Sequence, residues 1–112
     1  MLKIIIEDRG ARETLERKAK GLEKAVGEGF AEAGEMIVST AREIAPVRTG
    51  ALRNSIYYAL EPWRLIVGAA VHYAVYVEYG TRKMAPRPYL RPAVWSHLND
   101  LIISLKKAIL SG

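Results

Sequence analysis

Arg82, Lys83, Arg87 and Arg91 lie within ten residues of one another, and Tyr79 and Tyr89 interleave with them. Guanidinium and ammonium groups neutralise phosphate, and tyrosine rings stack on bases. This segment is therefore the part of the chain best suited to nucleic-acid chemistry. No helix-turn-helix, zinc-finger or aromatic-platform signature accompanies it. The expectation is that both tyrosines pack inward while the cations meet solvent or the acids of a neighbour.

Catalytic chemistry is thinner still. His72 and His97 are far apart in sequence, with no His-Glu-x-x-His pair and no carboxylate cluster to hold a metal. Beyond residue 45 the only carboxylates are Glu61, Glu78 and Asp100. Ser39, Ser55 and Ser96 lack a nucleophile-elbow context, and Thr49-Gly50 and Gly68 lack the spacing of a phosphate-binding loop. With no cysteine in 112 residues, disulfides, thiolate zinc sites and a cysteine nucleophile are excluded. The expectation is no catalytic, cofactor-binding or metal residue, no cofactor, and no enzymatic activity.

The elements that must position the basic segment follow from hydrophobic spacing. A single domain over residues 1–112 suits the length. Leu2-Lys3-Ile4-Ile5-Ile6 reads as a strand at a sheet edge. Leu15, Ala19, Leu22, Val26, Phe30, Ala33, Ile37, Ala41 and Ile44 then recur at spacings of three and four, the stripe of one long amphipathic helix ended by Pro46. Glu13–Arg17 and Glu16–Lys20 support it at i,i+4 spacing. Thirty such residues would span about 45 Å. A spherical domain of this size is near 34 Å across, so the stripe is expected to overhang and need a partner chain unless Gly21, Gly27, Gly29 or Gly34 breaks the helix. Residues 53–60 and 63–71 alternate as two strands around Glu61-Pro62. His72 to Tyr79 suits either a strand or a short helix closed by Gly80. Thr81 to Leu90 is a proline-bearing loop, and Val94, Leu98, Leu101, Ile102, Leu105 and Ile109 mark a final helix. The fold class expected is α+β: a long N-terminal helix and a C-terminal helix packed on a small, mainly antiparallel sheet. Neither a signal peptide nor a membrane helix is expected, and no membrane partner.

Charge is unevenly placed. Residues 1–45 carry eight basic and nine acidic groups, whereas residues 46–112 carry nine basic and three acidic ones. The net +5 thus comes from the half holding the basic loop.

Three segments carry a resemblance when taken in order. They are Ala45-Pro46-Val47-Arg48-Thr49-Gly50-Ala51-Leu52-Arg53-Asn54-Ser55-Ile56, Tyr73-Ala74-Val75-Tyr76-Val77-Glu78-Tyr79-Gly80-Thr81 and Ala85-Pro86-Arg87-Pro88-Tyr89-Leu90-Arg91-Pro92-Ala93. Together they resemble the gene-product-ten-like tail-component family of siphophages and prophages, the head–tail joining (neck or tail-completion) proteins, over about residues 10–108. Arg48 departs from the acidic residue common there.

The resemblance implies a structural virion or prophage-derived protein. Its subunits would form a ring at the head–tail junction or tail-tube end and serve tail completion and head–tail joining. Implied partners are other copies of the chain, associating as a ring or other homo-oligomer, and connector or tail-tube proteins. DNA would pass through the channel without sequence-specific contact. The implied location is the virion, with assembly in the host cytoplasm. Residues expected to order the loop or form interfaces are Arg48, Thr49, Gly50, Tyr73, Glu78, Gly80, Thr81, Arg82, Lys83, Pro86, Arg87, Pro88, Tyr89 and Arg91. Within that set Glu78 would pair with Arg82, Arg87 or Arg91, and Gly80-Thr81 would cap a short helix over Tyr73–Tyr79. Two other readings of the residues stand beside this one: a basic nucleic-acid-binding module, and a small dimeric regulatory or antitoxin-like protein.

Overall fold

The computed structural model describes residues 2–7, 21–62 and 64–111. Strand β1 (Leu2–Glu7) is followed by helix α1 (Gly21–Ile44), a short helix α2 (Ala51–Ser55), strands β2 (Ile56–Glu61) and β3 (Arg64–Ala69), a short helix α3 (Ala74–Tyr79) and helix α4 (Leu90–Ser111). The three strands form one antiparallel sheet in the order β1-β3-β2. Leu2 and Ile56 both stand opposite Ala69, and Glu7 and Glu61 both stand opposite Arg64. Arg64 makes ion pairs with both of those glutamates, a charged row across one end of the sheet.

The fold is α+β with a small antiparallel sheet, and β1 lies at a sheet edge. The long N-terminal helix is not supported. The first described element is a strand, and the described helix begins at Gly21 and covers 24 residues. Leu15, Ala19 and the Glu13–Arg17 and Glu16–Lys20 pairs lie outside the described residues, as does Trp63.

Nor does the described stripe overhang. Val26, Phe30, Ala33, Ile37 and Ala41 are all buried, in one cluster with Leu65 and Val67 of β3 and Leu101 and Leu105 of α4. The molecule measures 51 × 20 × 19 Å, with a radius of gyration of 15.6 Å against about 13 Å for a compact domain of this length. The spherical estimate misled because the fold is elongated, so its own sheet and C-terminal helix run alongside α1 and cover the stripe. Ile44, at the end of α1, is the exception and is exposed.

Two further differences have local causes. Residues 53–55 continue a helical turn that starts after Gly50, where φ is +84°, so the strand begins only at Ile56. Gly27, Gly29 and Gly34 lie within α1 without breaking it, since burial of the apolar face outweighs the roughly 1 kcal/mol cost of each glycine. Gly34 instead permits a close helix–sheet approach: a Cβ there would sit 2.6 Å from Cδ2 of Tyr58. A Cβ at Gly27 would meet nothing within 4 Å.

These two positions should respond oppositely to one substitution. Gly27→Ala should stabilise the fold by about 0.5–1 kcal/mol, the ordinary helix gain. Gly34→Ala should destabilise it by about 1–3 kcal/mol through overpacking against Tyr58. Urea unfolding of both variants checks the pair.

Candidate functional site: a loop held by a buried glutamate

Helix α4 begins without a cap of its own. Its N-cap position is Tyr89, and no Ser, Thr, Asp or Asn precedes Leu90 closely enough to serve. The first backbone N–H groups of a helix have no intrahelical acceptor and must be satisfied from elsewhere. Glu78, near the end of α3, supplies the acceptor. Its side chain is wholly buried, the only buried charged residue among those described. Oε1 accepts the N–H of Tyr89 at 3.1 Å and of Leu90 at 2.8 Å, and Oε2 accepts the N–H of Arg91 at 3.3 Å. The next residue, Pro92, has no N–H to satisfy. One carboxylate thus accounts for every orphan donor of the first turn.

The charge is balanced at the same place. Arg91 Nε donates to Glu78 Oε2 at 3.0 Å, and Nη2 donates to the Glu78 carbonyl at 3.3 Å. The positive end of the α4 dipole adds to that compensation. The Arg91 guanidinium also lies 4.2 Å above the Tyr79 ring, a cation–π contact. The glutamate's expected ion pair is therefore with Arg91, and not with Arg82 or Arg87.

Tyr89 closes the interior side. Its ring is fully buried and its hydroxyl donates to the Ala74 carbonyl at 3.0 Å. Burial raises the phenol above its ordinary value of 10, with the negative charge of Glu78 and then Tyr73 adding to the shift. Tyr79 does not pack inward as expected: it is about half exposed, because its face carries Arg91.

Between these anchors runs the proline loop. Gly80 ends α3 with φ +78° and donates to the Tyr76 carbonyl at 2.8 Å. A Cβ on Gly80 would lie 2.8 Å from the Pro86 nitrogen, so the two limbs of the loop approach too closely for any other residue. Thr81 and Met84 exchange backbone hydrogen bonds of 2.9 and 3.3 Å, and the Arg87 N–H donates to the Val77 carbonyl at 2.8 Å. Pro86 and Pro88 stiffen what lies between. Arg82, Lys83 and Arg87 are exposed, and none makes an ion pair among the described residues.

Tyr73, half-buried, is the N-cap residue of α3, with its ring edge-on to His72 at 5.3 Å. The structure thus brings Tyr73, Glu78, Gly80, Thr81, Pro86, Arg87, Tyr89 and Arg91 into one assembly. Arg48, Thr49 and Gly50 form a separate turn in which the Thr49 hydroxyl accepts the Ala51 N–H at 3.3 Å; Arg48 is exposed.

Sequence reasoning missed three features. One is the external cap, for which the signal was available: a helix opening Tyr89-Leu90-Arg91-Pro92 has no cap residue. The second is Trp95, one turn beyond Arg91 on α4 and 69% exposed. The third is His97, whose Nε2 lies 2.7 Å from the Thr40 hydroxyl while its buried Nδ1 has no hydrogen-bond partner. Among the described residues no group of three or more His, Cys, Asp or Glu could hold a metal ion, and no helix is long and apolar enough to cross a membrane.

The fold and site define a small α+β domain in which α1 packs on the three-stranded sheet and α4 packs chiefly on α1 rather than on the sheet as expected, and whose principal polar cluster shapes a surface loop. A family model described as "Bacteriophage HK97-gp10, putative tail-component" matches residues 10–80, well over half of the chain. The chain belongs to this HK97-gp10-like family, which gives it a structural role as a phage tail component. The match ends at Gly80, so the proline loop and α4, which the three-segment resemblance also covered, lie beyond it. No curated protein and no solved structure matches the chain.

Glu78→Ala should cost about 3–5 kcal/mol, since it leaves Arg91 and three backbone donors without their acceptor. Urea unfolding should report that loss, and limited proteolysis should cut faster between Thr81 and Pro88. Tyr89 adds a pH signature. Its raised folded-state value means the native state holds the proton that the unfolded chain releases near pH 10. Stability is therefore intact below pH 10 and falls as pH rises above it. Tyr89→Phe should cost about 1–2 kcal/mol at neutral pH and show a shallower alkaline decline than the parent chain.

Proposed function

We propose that the chain is a subunit of a ring at the head–tail junction or at the end of the tail tube, needed for tail completion and head–tail joining. The observation that carries this reading is membership of a phage tail-component family over residues 10–80. The loop geometry supports it. A segment presenting three exposed cations on a pre-ordered backbone loses little entropy when it docks. Its partners on this reading are other copies of the chain and connector or tail-tube proteins, and its location is the virion. DNA passes without base-specific contact, and the work is assembly rather than catalysis.

The test is a phage stock with the gene disrupted, imaged by negative stain. Unjoined heads and tails are expected, and joined infectious particles formed without the chain would overturn the reading. Complementation with Arg82→Glu/Arg87→Glu should fail to restore joining. The purified variant should melt within about 3 °C of the parent, because exposed cations with no ion pair among the described residues contribute little to stability. A nucleic-acid-binding module predicts a different result: duplex DNA binding whose log–log salt slope is about −2.7 for three phosphate contacts.

A further inference from the structure

We propose that the basic loop docks on a second copy of the chain, in the groove between helices α1 and α4. The inference rests on the ring reading above and names the contact that would build it. The groove has a volume of about 210 Å³ and is lined by Glu32, Ala33 and Met36 from α1 and by His97, Asp100 and Leu101 from α4. Ala33 and Leu101 are buried, whereas Glu32 and Asp100 are exposed acids with no ion pair among the described residues. Glu28 and Glu35, also exposed, extend the acidic row along α1 at i,i+4 and i,i+7 spacing from Glu28 through Glu32.

The loop is the converse. Residues 79–99 contain no acid, and Arg82, Lys83 and Met84 present two cationic heads and an apolar side chain at its exposed tip. An apolar floor between two carboxylates suits a side chain with an aliphatic stem and a cationic head. Neither patch has an ion pair among the described residues, and each carries the charge the other lacks. A second copy satisfies both at once. Because the two patches are different surfaces, the contact is heterologous, so it propagates from subunit to subunit and closes into a ring where the rotation allows.

The parent chain has no cysteine, which makes cross-linking a direct test. Met84→Cys and Ser104→Cys place thiols at the loop tip and in the groove without touching the charges. Mixing the two singly substituted chains under a copper oxidant should give the mixed disulfide in excess of its statistical share. The doubly substituted chain should run as a ladder beyond dimer. A statistical mixture, or a ladder that stops at dimer, would overturn the docking. Arg82→Glu/Lys83→Glu and Glu32→Lys/Asp100→Lys should each weaken self-association at least tenfold. Combining both sets in one chain should restore it, and failure to restore would also overturn the proposal. Phage that join heads to tails without this chain would sink the ring reading while leaving the ladder in place. A chain required for joining whose loop and groove never cross-link would sink the docking alone.

Discussion

The structure depends on one buried carboxylate. Placing the charge of Glu78 away from water costs several kcal/mol, and the fold offsets it with three backbone donors, the Arg91 guanidinium and the positive end of α4. Each contribution serves a second purpose. The backbone donors are those that α4 cannot satisfy itself, so the same bonds that solvate the charge start the helix. Arg91, held by the carboxylate, covers Tyr79 and fixes the outer face of α3. Removing the glutamate would therefore release the end of α3, the loop and the first turn of α4 together.

That arrangement separates the loop's shape from its exposed charges. The loop is held by backbone hydrogen bonds, two prolines, a glycine with no room for a side chain, and a carboxylate beneath it. The side chains of Arg82, Lys83 and Arg87 make none of these contacts among the described residues. Their side chains remain available to a partner while the backbone presenting them is already ordered, which suits a tail component whose work is to fit against neighbours. The division also explains how this segment could lie past Gly80, beyond the family match, and still be built into the fold: its anchor, Glu78, lies within the match.

Much of this was legible in the sequence where a single physical rule dominates. The stripe from Val26 to Ala41, the edge strand, the hairpin and the last helix follow from apolar periodicity, because burial of one face decides each of them. Glu78 stood out as an acid isolated among cations. The rest depends on contacts distant in sequence. That Glu78 caps α4, eleven to thirteen residues away, is a fact about how α3 and α4 meet, and pairing charges by type finds only its Arg91 half. The end of the helical turn at Ala51–Ser55 was hidden because Arg53 to Ser55 lead directly into the alternation of Ile56 to Leu60, and the turn follows the left-handed Gly50. Gly34 reads as a helix defect until Tyr58 is seen packed against it. The overhang of α1 failed for a global reason: length was compared with a sphere, and the chain does not fold as one.

The elongated shape carries a consequence of its own. A body 51 Å long and about 20 Å thick has more surface than a sphere of equal volume, and with this composition part of that surface must be apolar. Trp95, Ile102 and Ile103 on α4, and Ile5 on β1, are accordingly exposed. Singly exposed apolar residues are ordinary in soluble proteins. Trp95 is different, because it follows Arg91 and Tyr79 along one surface and so joins the three residue types most enriched at binding hot spots. A chain selected only to be a stable monomer would gain by replacing that tryptophan with a charged residue, since little of its ring is buried. Its exposure beside a pre-ordered cationic loop suits a tail component that fits against neighbours, and the elongated body offers long flanks for such contact.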